Sequence, residues 1–227
     1  MRSFSRRPCV IVASMGRSGS TLTFMTLNKA AKTWFNRSPG LFCQSLGSAP
    51  LSPGSIVKTH DYPDALRTRP EEVRVLFVFG STYDAALSVY ACRDRLGEAW
   101  VAEHFRNCKS PASLEDLFEF DALGMAQQVR DWSVFDRVPV MCARLDALWR
   151  YAADISRFTG YAFDPSPKRA RVAHAVPDHL KQRAQAVYAP LDEEIGKLPD
   201  LFMAGPEMAA SLEGIPCNQL FSKNKRP

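Results

Sequence analysis

An α/β fold is what this sequence predicts: a central parallel sheet with helices on both faces. Three observations point there. Short apolar runs alternate with helix-compatible stretches along the chain, the order that builds parallel sheets. One of those runs, Val75-Leu76-Phe77-Val78-Phe79, is apolar without interruption, as a strand covered on both faces must be. The third is a loop rich in glycine and serine, Ala13-Ser14-Met15-Gly16-Arg17-Ser18-Gly19-Ser20-Thr21, which joins an apolar run to a helical segment. The chain has 227 residues, 46% hydrophobic and 23% charged, enough to bury a sizeable core as one domain spanning 1–227.

The elements follow in order. Residues 10–13 form the first strand and 21–32 the first helix, after which a Ser, Pro and Gly-rich stretch, 38–54, reads as a loop or lid. Residues 55–58 make a short strand and 74–79 the buried one. Ser81 and Thr82 can cap the helix that runs to Leu96, with Gly97 at its end. Further helices are expected over 99–105 and 122–135, a strand over 138–143, and a helix over 145–158 that places Leu148, Ile155 and Phe158 on one face before Gly160. No internal repeat or low-complexity tract interrupts this order. Beyond residue 160 the pattern is a weaker helical region, ending in a short basic tail at 222–227.

Charge and cysteine usage narrow the function classes. A net charge of +5 and a pI near 8.9 suit an anionic ligand without demanding a polyanion, and no array of arginines and aromatics supports a nucleic-acid partner. The six cysteines show no CxxC pair or short metal-ligand spacing, so they read as reduced structural thiols and no metal is expected. Arg2, Arg6 and Arg7 precede an apolar run that ends at once in the glycine loop, which fits a first core strand better than a signal peptide. No apolar stretch approaches the ~20 residues that a transmembrane helix needs. The expectation is a soluble, cytoplasmic protein.

The loop supplies the chemistry. Backbone amides around Gly16 and Gly19 can turn toward an anion, and the helix that follows adds its positive end, so the fold is expected to be P-loop-like, in three layers. The Gly-Lys-Ser/Thr of an ordinary nucleotide triphosphatase is missing, and Arg17 takes the cationic role.

Three segments then combine. Gly16-Arg17-Ser18-Gly19-Ser20-Thr21, Lys58-Thr59-His60 after a strand, and Asp84-Ala85-Ala86-Leu87-Ser88-Val89-Tyr90 after the buried strand resemble, in order and spacing, the nucleotide-dependent sulfotransferases. Trp132 and Arg144-Leu145-Asp146-Ala147-Leu148 extend the resemblance, which covers about 8–160. It implies that the first loop binds the 5′-phosphosulfate of 3′-phosphoadenosine 5′-phosphosulfate (PAPS) and that Ser88 binds the 3′-phosphate. It further implies sulfuryl transfer to a hydroxyl or amine of a small molecule or glycan.

Each motif residue then has an expected role. His60, with an ordinary pKa near ~6.5, serves as the base that takes the acceptor's proton. Lys58 either touches the phosphosulfate or faces solvent. Arg17 holds phosphate and sulfonate oxygens through its planar fork, and the hydroxyls of Ser18, Ser20 and Thr21 add neutral donors. His104, His174 and His179 read as structural or surface residues. The segment 98–120, with Trp100, His104 and Phe105, and the stretch 38–54 are expected to shape the acceptor pocket.

The departures from the family pattern are specific. Gly80 stands where the family has the arginine of its 3′-phosphate site, and Leu145 stands where it has a tyrosine. Substitute cations are sought at Arg93, Arg95, Lys168, Arg169 and Arg171. Two alternatives stay open: an ATP-dependent phosphotransferase, for which Asp61 is the nearest magnesium-binding carboxylate, and a nucleotide-binding protein of the same fold without catalysis.

Overall fold

The computed structural model describes residues 7–32, 40–67, 72–168 and 175–216. The four expected strands form as β1 (Cys9–Ser14), β3 (Ile56–Thr59), β4 (Val73–Phe79) and β5 (Val140–Arg144). They pair in parallel in the order β3-β1-β4-β5, with β1 at the centre between Ile56–Thr59 on one side and Val73–Phe79 on the other. Two short strands extend the sheet. β2 (Gly40–Phe42) pairs in parallel with β3 inside the stretch expected to be loop, and β6 (Leu201–Met203) closes the other edge antiparallel to β5. The sheet is therefore six-stranded and mostly parallel rather than wholly so. A three-residue edge strand is too short to leave a period-two signal; β6 is set by its neighbour, where the Arg144 amide donates to the Asp200 carbonyl and Arg144 Nε reaches Asp200 Oδ1 at 2.8 Å.

Alternation along the strands separates two cores. Ile11, Ala13, Val75, Phe77 and Phe79 face one layer, which contains α2 (Thr82–Leu96), α3 (Glu98–Asn107), α4 (Met125–Ser133) and α6 (Asp178–Gly196). Val10, Val12, Leu76 and Val78 face the other, where α1 (Ser20–Ala31) brings Leu27 and Ala31 and α5 (Ala152–Thr159) brings Ile155. Helices thus cover both faces, and every residue of β1 is buried.

Local chemistry explains the helix boundaries. Ser81 caps α2, accepting the Asp84 amide at 3.0 Å, and Gly97, at φ 85°, ends it. α4 begins later than the apolar pattern suggests because the Asp121 carboxylate accepts the amides of Met125 and Ala126, after Gly124 turns the chain at φ 64°. The expected helix over 145–158 splits into a 3-10 turn at Leu145–Ala147 followed by α5. Between them, Trp149 donates to the Ser166 carbonyl and Arg150 pairs with Asp200, contacts that a straight helix from β5 would not meet. The five described cysteines are buried free thiols, Cys217 and the basic tail at 222–227 lie outside the described residues, and no described helix is long and apolar enough to cross a membrane.

Candidate functional site

Two helices begin at the carboxyl edge of the sheet, and their N-termini are treated differently. At α1, Gly19 stands in the left-handed region at φ 83°, no side chain among the described residues caps the helix, and its first turn holds no acid. Uncapped amides at a helix N-terminus can serve an external anion. At α2 the amides are taken by the chain itself. Asp192, from α6, accepts from Thr82 N and Thr82 Oγ1 at 2.6 Å, from Ser81 Oγ at 2.7 Å and from Tyr83 N at 3.3 Å. Gly80 lies beside this second terminus, where the added Cβ of any other residue would come within 3.5 Å of Leu145.

The loop between β1 and α1 is tightly wound. Gly16 and Gly19 take left-handed backbone angles, and so does Arg17 at φ 49°, a conformation that costs an L side chain about 1–2 kcal/mol. A Cβ at Gly16 would sit 3.3 Å from His104 Nε2, so glycine there meets both a backbone and a spatial requirement. Ser18 is buried and donates to the Gly16 carbonyl at 2.8 Å, so its hydroxyl locks the loop instead of offering itself to a ligand, contrary to the sequence expectation.

A cavity of about 510 Å³ opens over the loop. Of the residues singled out from the sequence, Arg17, Gly19, Ser20, Thr21, Lys58 and His60 line it. Gly16, Ser18 and Ser88 do not. Ser88 sits behind Arg17, accepting its Nε–H at 2.9 Å, which holds the guanidinium by one corner while it lies over the Trp100 ring. Lys58 Nζ donates to Thr21 Oγ1 at 2.8 Å and lies 5.5 Å from the centre of the Phe42 ring. Burial and the nearby Arg17 both lower its pKa.

His60 is 6% exposed at the end of β3. Its Nδ1 lies 3.1 Å from both the carbonyl and the hydroxyl of Ser14. A carbonyl oxygen only accepts, so Nδ1 carries the proton and Nε2 the lone pair. Burial lowers the His60 pKa to about 4, with Lys58 and Arg17 pushing in the same direction against the Ser14 contact. The ring is therefore neutral at neutral pH. Its backbone is pinned as well: Gln128 Nε2 donates to the His60 carbonyl and Trp132 Nε1 to that of Asp61. Asp61 is buried, and its carboxylate accepts the amides of Leu46 and Tyr62, so it is committed to the chain rather than to a cation.

The substitute cations do not come to the cavity. Arg93 pairs with Asp94, Arg95 lies against Cys92, and Lys168 pairs with Asp146 at 3.2 Å. Arg169, Arg171 and His174 lie outside the described residues, and His179 is exposed on α6.

His104 is different from its sequence reading. It is 5% exposed, lines the cavity, meets the His60 ring edge-on at 5.6 Å, and stacks on Trp100 at 5.0 Å. Burial, then His60 and the two cations, lower its pKa to about 3. Cys108, 3.9 Å from its Nε2, is pushed up to about 12 by burial and is an inert packing thiol. Trp100, Glu103, His104 and Asn107 line the cavity at the helical spacing i, i+3, i+4, i+7, so their stripe could have been read from the sequence as one face of a helix. No local pattern points to Asp192. Phe105, expected in the pocket, is packed in the core.

No protein-family model matches this sequence, and no curated protein matches it.

Proposed function

We propose that this chain is a sulfotransferase of P-loop-like fold that moves a sulfuryl group from PAPS to an acceptor hydroxyl or amine. The observation that carries the reading is the convergence of Arg17, Lys58, the uncapped N-terminus of α1 and the neutral His60 on one cavity. Two cations and a helix terminus suit a phosphosulfate, while a neutral imidazole with its lone pair on Nε2 suits an acceptor proton.

The step balances simply. The acceptor oxygen forms a bond to sulfur as the bond from sulfur to the 5′-phosphate oxygen breaks, the acceptor proton passes to His60 Nε2, and 3′,5′-adenosine bisphosphate departs. Arg17 and Lys58 face the charge that develops on the departing phosphate.

The two ends of the donor are unequally served. The 5′ end has Arg17, Lys58 and the loop amides; at the β4–α2 turn, where the resemblance puts the 3′-phosphate, Asp192 already takes the amides and Gly80 supplies no cation. Affinity in this reading rests on the 5′ end. Buried, unpaired cysteines are at home in a reducing compartment, which favours the cytoplasm.

Calorimetric titration with 3′,5′-adenosine bisphosphate, against ATP with magnesium in the same salt, tests the donor class. Preference for the bisphosphate supports the proposal; preference for magnesium ATP moves the chemistry to phosphoryl transfer. His60→Ala should lower turnover by ~10²–10⁴ while bisphosphate binding changes little. An unchanged rate would remove His60 as the base.

A further inference from the structure

β1 and β4 run side by side in parallel, so the chain turns into α1 and into α2 at the same edge of the sheet. A ligand with two separated anionic groups could use both helix N-termini. The one at α2 is closed in three ways. Its amides are taken, because the Asp192 carboxylate already accepts from Thr82 N, Tyr83 N and the hydroxyls of Ser81 and Thr82. That carboxylate is a fixture of α6, where Tyr188, Leu191 and Ile195 on either side of it are buried. A second anion would have to approach a like charge and displace it.

The cation beside this turn is committed as well. Arg144 lies over the Phe79 ring, next to Gly80, but pairs with Asp200 at 2.8 Å and donates to the carbonyls of Ile195 and Leu198. Leu145 fills the space between the two turns. An added Cβ at Gly19 would collide with Leu145 Cδ1, and one at Gly80 would come within 3.5 Å of Leu145 Cβ, so this one side chain reaches from one turn to the other. Leu145 lines the cavity, whereas Gly80, Ser81, Thr82 and Tyr83 do not.

We infer that Leu145 and Asp192 are specificity determinants that restrict the site to ligands with a single anionic head, seated at α1 beside Arg17 and Lys58. For the donor, a consequence that rests on the sulfotransferase reading, the 3′-phosphate goes unread and adenosine 5′-phosphosulfate serves as well as PAPS. The bond from sulfur to the 5′-phosphate oxygen breaks as it does with PAPS, the acceptor oxygen bonds to sulfur, its proton passes to His60, and adenosine 5′-monophosphate departs.

Calorimetric titration of the full chain with adenosine 5′-monophosphate and with 3′,5′-adenosine bisphosphate, in the same salt, tests the inference. The two affinities should agree within about threefold, since a charge-assisted hydrogen bond to a 3′-phosphate would by itself separate them by roughly tenfold. The double variant Leu145→Ala, Asp192→Asn keeps an oxygen at the start of α2 and should favour the bisphosphate by roughly tenfold or more. A bisphosphate bound tenfold tighter by the unaltered chain, or an unchanged ratio in a folded double variant, would overturn the inference. If neither nucleotide binds, the sulfotransferase reading fails, and inorganic sulfate added to nitrogen-15-labelled protein still decides the seat. Sulfate should move the amide resonances of Ser20 and Thr21 and leave those of Thr82 and Tyr83 still; movement at Thr82 and Tyr83, or at neither pair, would refute it.

Discussion

Two buried imidazoles should make this fold acid-sensitive well above the range where carboxylates protonate. His60 is lowered to about 4 and His104 to about 3, from an ordinary value of 6.5. Unfolded, both rings take up protons as the pH falls through 6.5; folded, they resist. The unfolded chain therefore binds more protons between that value and the folded pKa values, and stability falls as the pH is lowered through this window. Taken from pH 7 to pH 5, each histidine withdraws roughly 2 kcal/mol. Asp121 acts in the opposite sense, because burial raises it from 3.8 to about 6 and the folded chain then gains the proton first. It returns roughly 1 kcal/mol over the same interval, leaving a net loss of about 2–3 kcal/mol. Asp61, also raised by burial, trims this further. Urea unfolding at the two pH values measures the loss directly. In the double variant His60→Gln, His104→Gln the dependence should vanish or reverse, since only the raised carboxylates remain. A full loss persisting in that variant, or both imidazoles titrating near 6.5 in a proton NMR titration of the native protein, would refute the reasoning.

Asp192→Ala removes the acceptor of four hydrogen bonds at the start of α2 and should cost about 2–4 kcal/mol in denaturant unfolding; a loss under about 0.5 kcal/mol would show that Ser81 caps the helix unaided. Gly19→Ala should destabilise by roughly 2–3 kcal/mol and weaken bisphosphate binding, because the new Cβ needs φ 83° and collides with Leu145 Cδ1. Adding Leu145→Ala should relieve the collision and leave the backbone cost, a partial rescue that calorimetry can separate.

Much of the sheet and half of the site were legible in the sequence, because both rest on local patterns. Val75-Leu76-Phe77-Val78-Phe79 could be covered on both faces only inside a sheet, and the Gly16-to-Thr21 loop announced its left-handed turns by its glycines. Lys58 lies near the end of β3, His60 directly after it and Arg17 three residues after β1, and parallel strands deliver their carboxyl ends to one edge whatever the rest of the chain does. Tertiary structure alone decided what each polar side chain is spent on. Ser18 turned inward to Gly16, Ser88 became the support of Arg17, and Asp192 reached across from α6 to occupy the start of α2. His104 shows the limit most clearly: its helix was expected, yet whether that face meets solvent, core or cavity depends on where α3 lies against the loop. Periodicity gives a side chain its direction about its own helix axis. Its partner is set by packing between elements distant in sequence, and a hydrogen bond responds only to what is near in space.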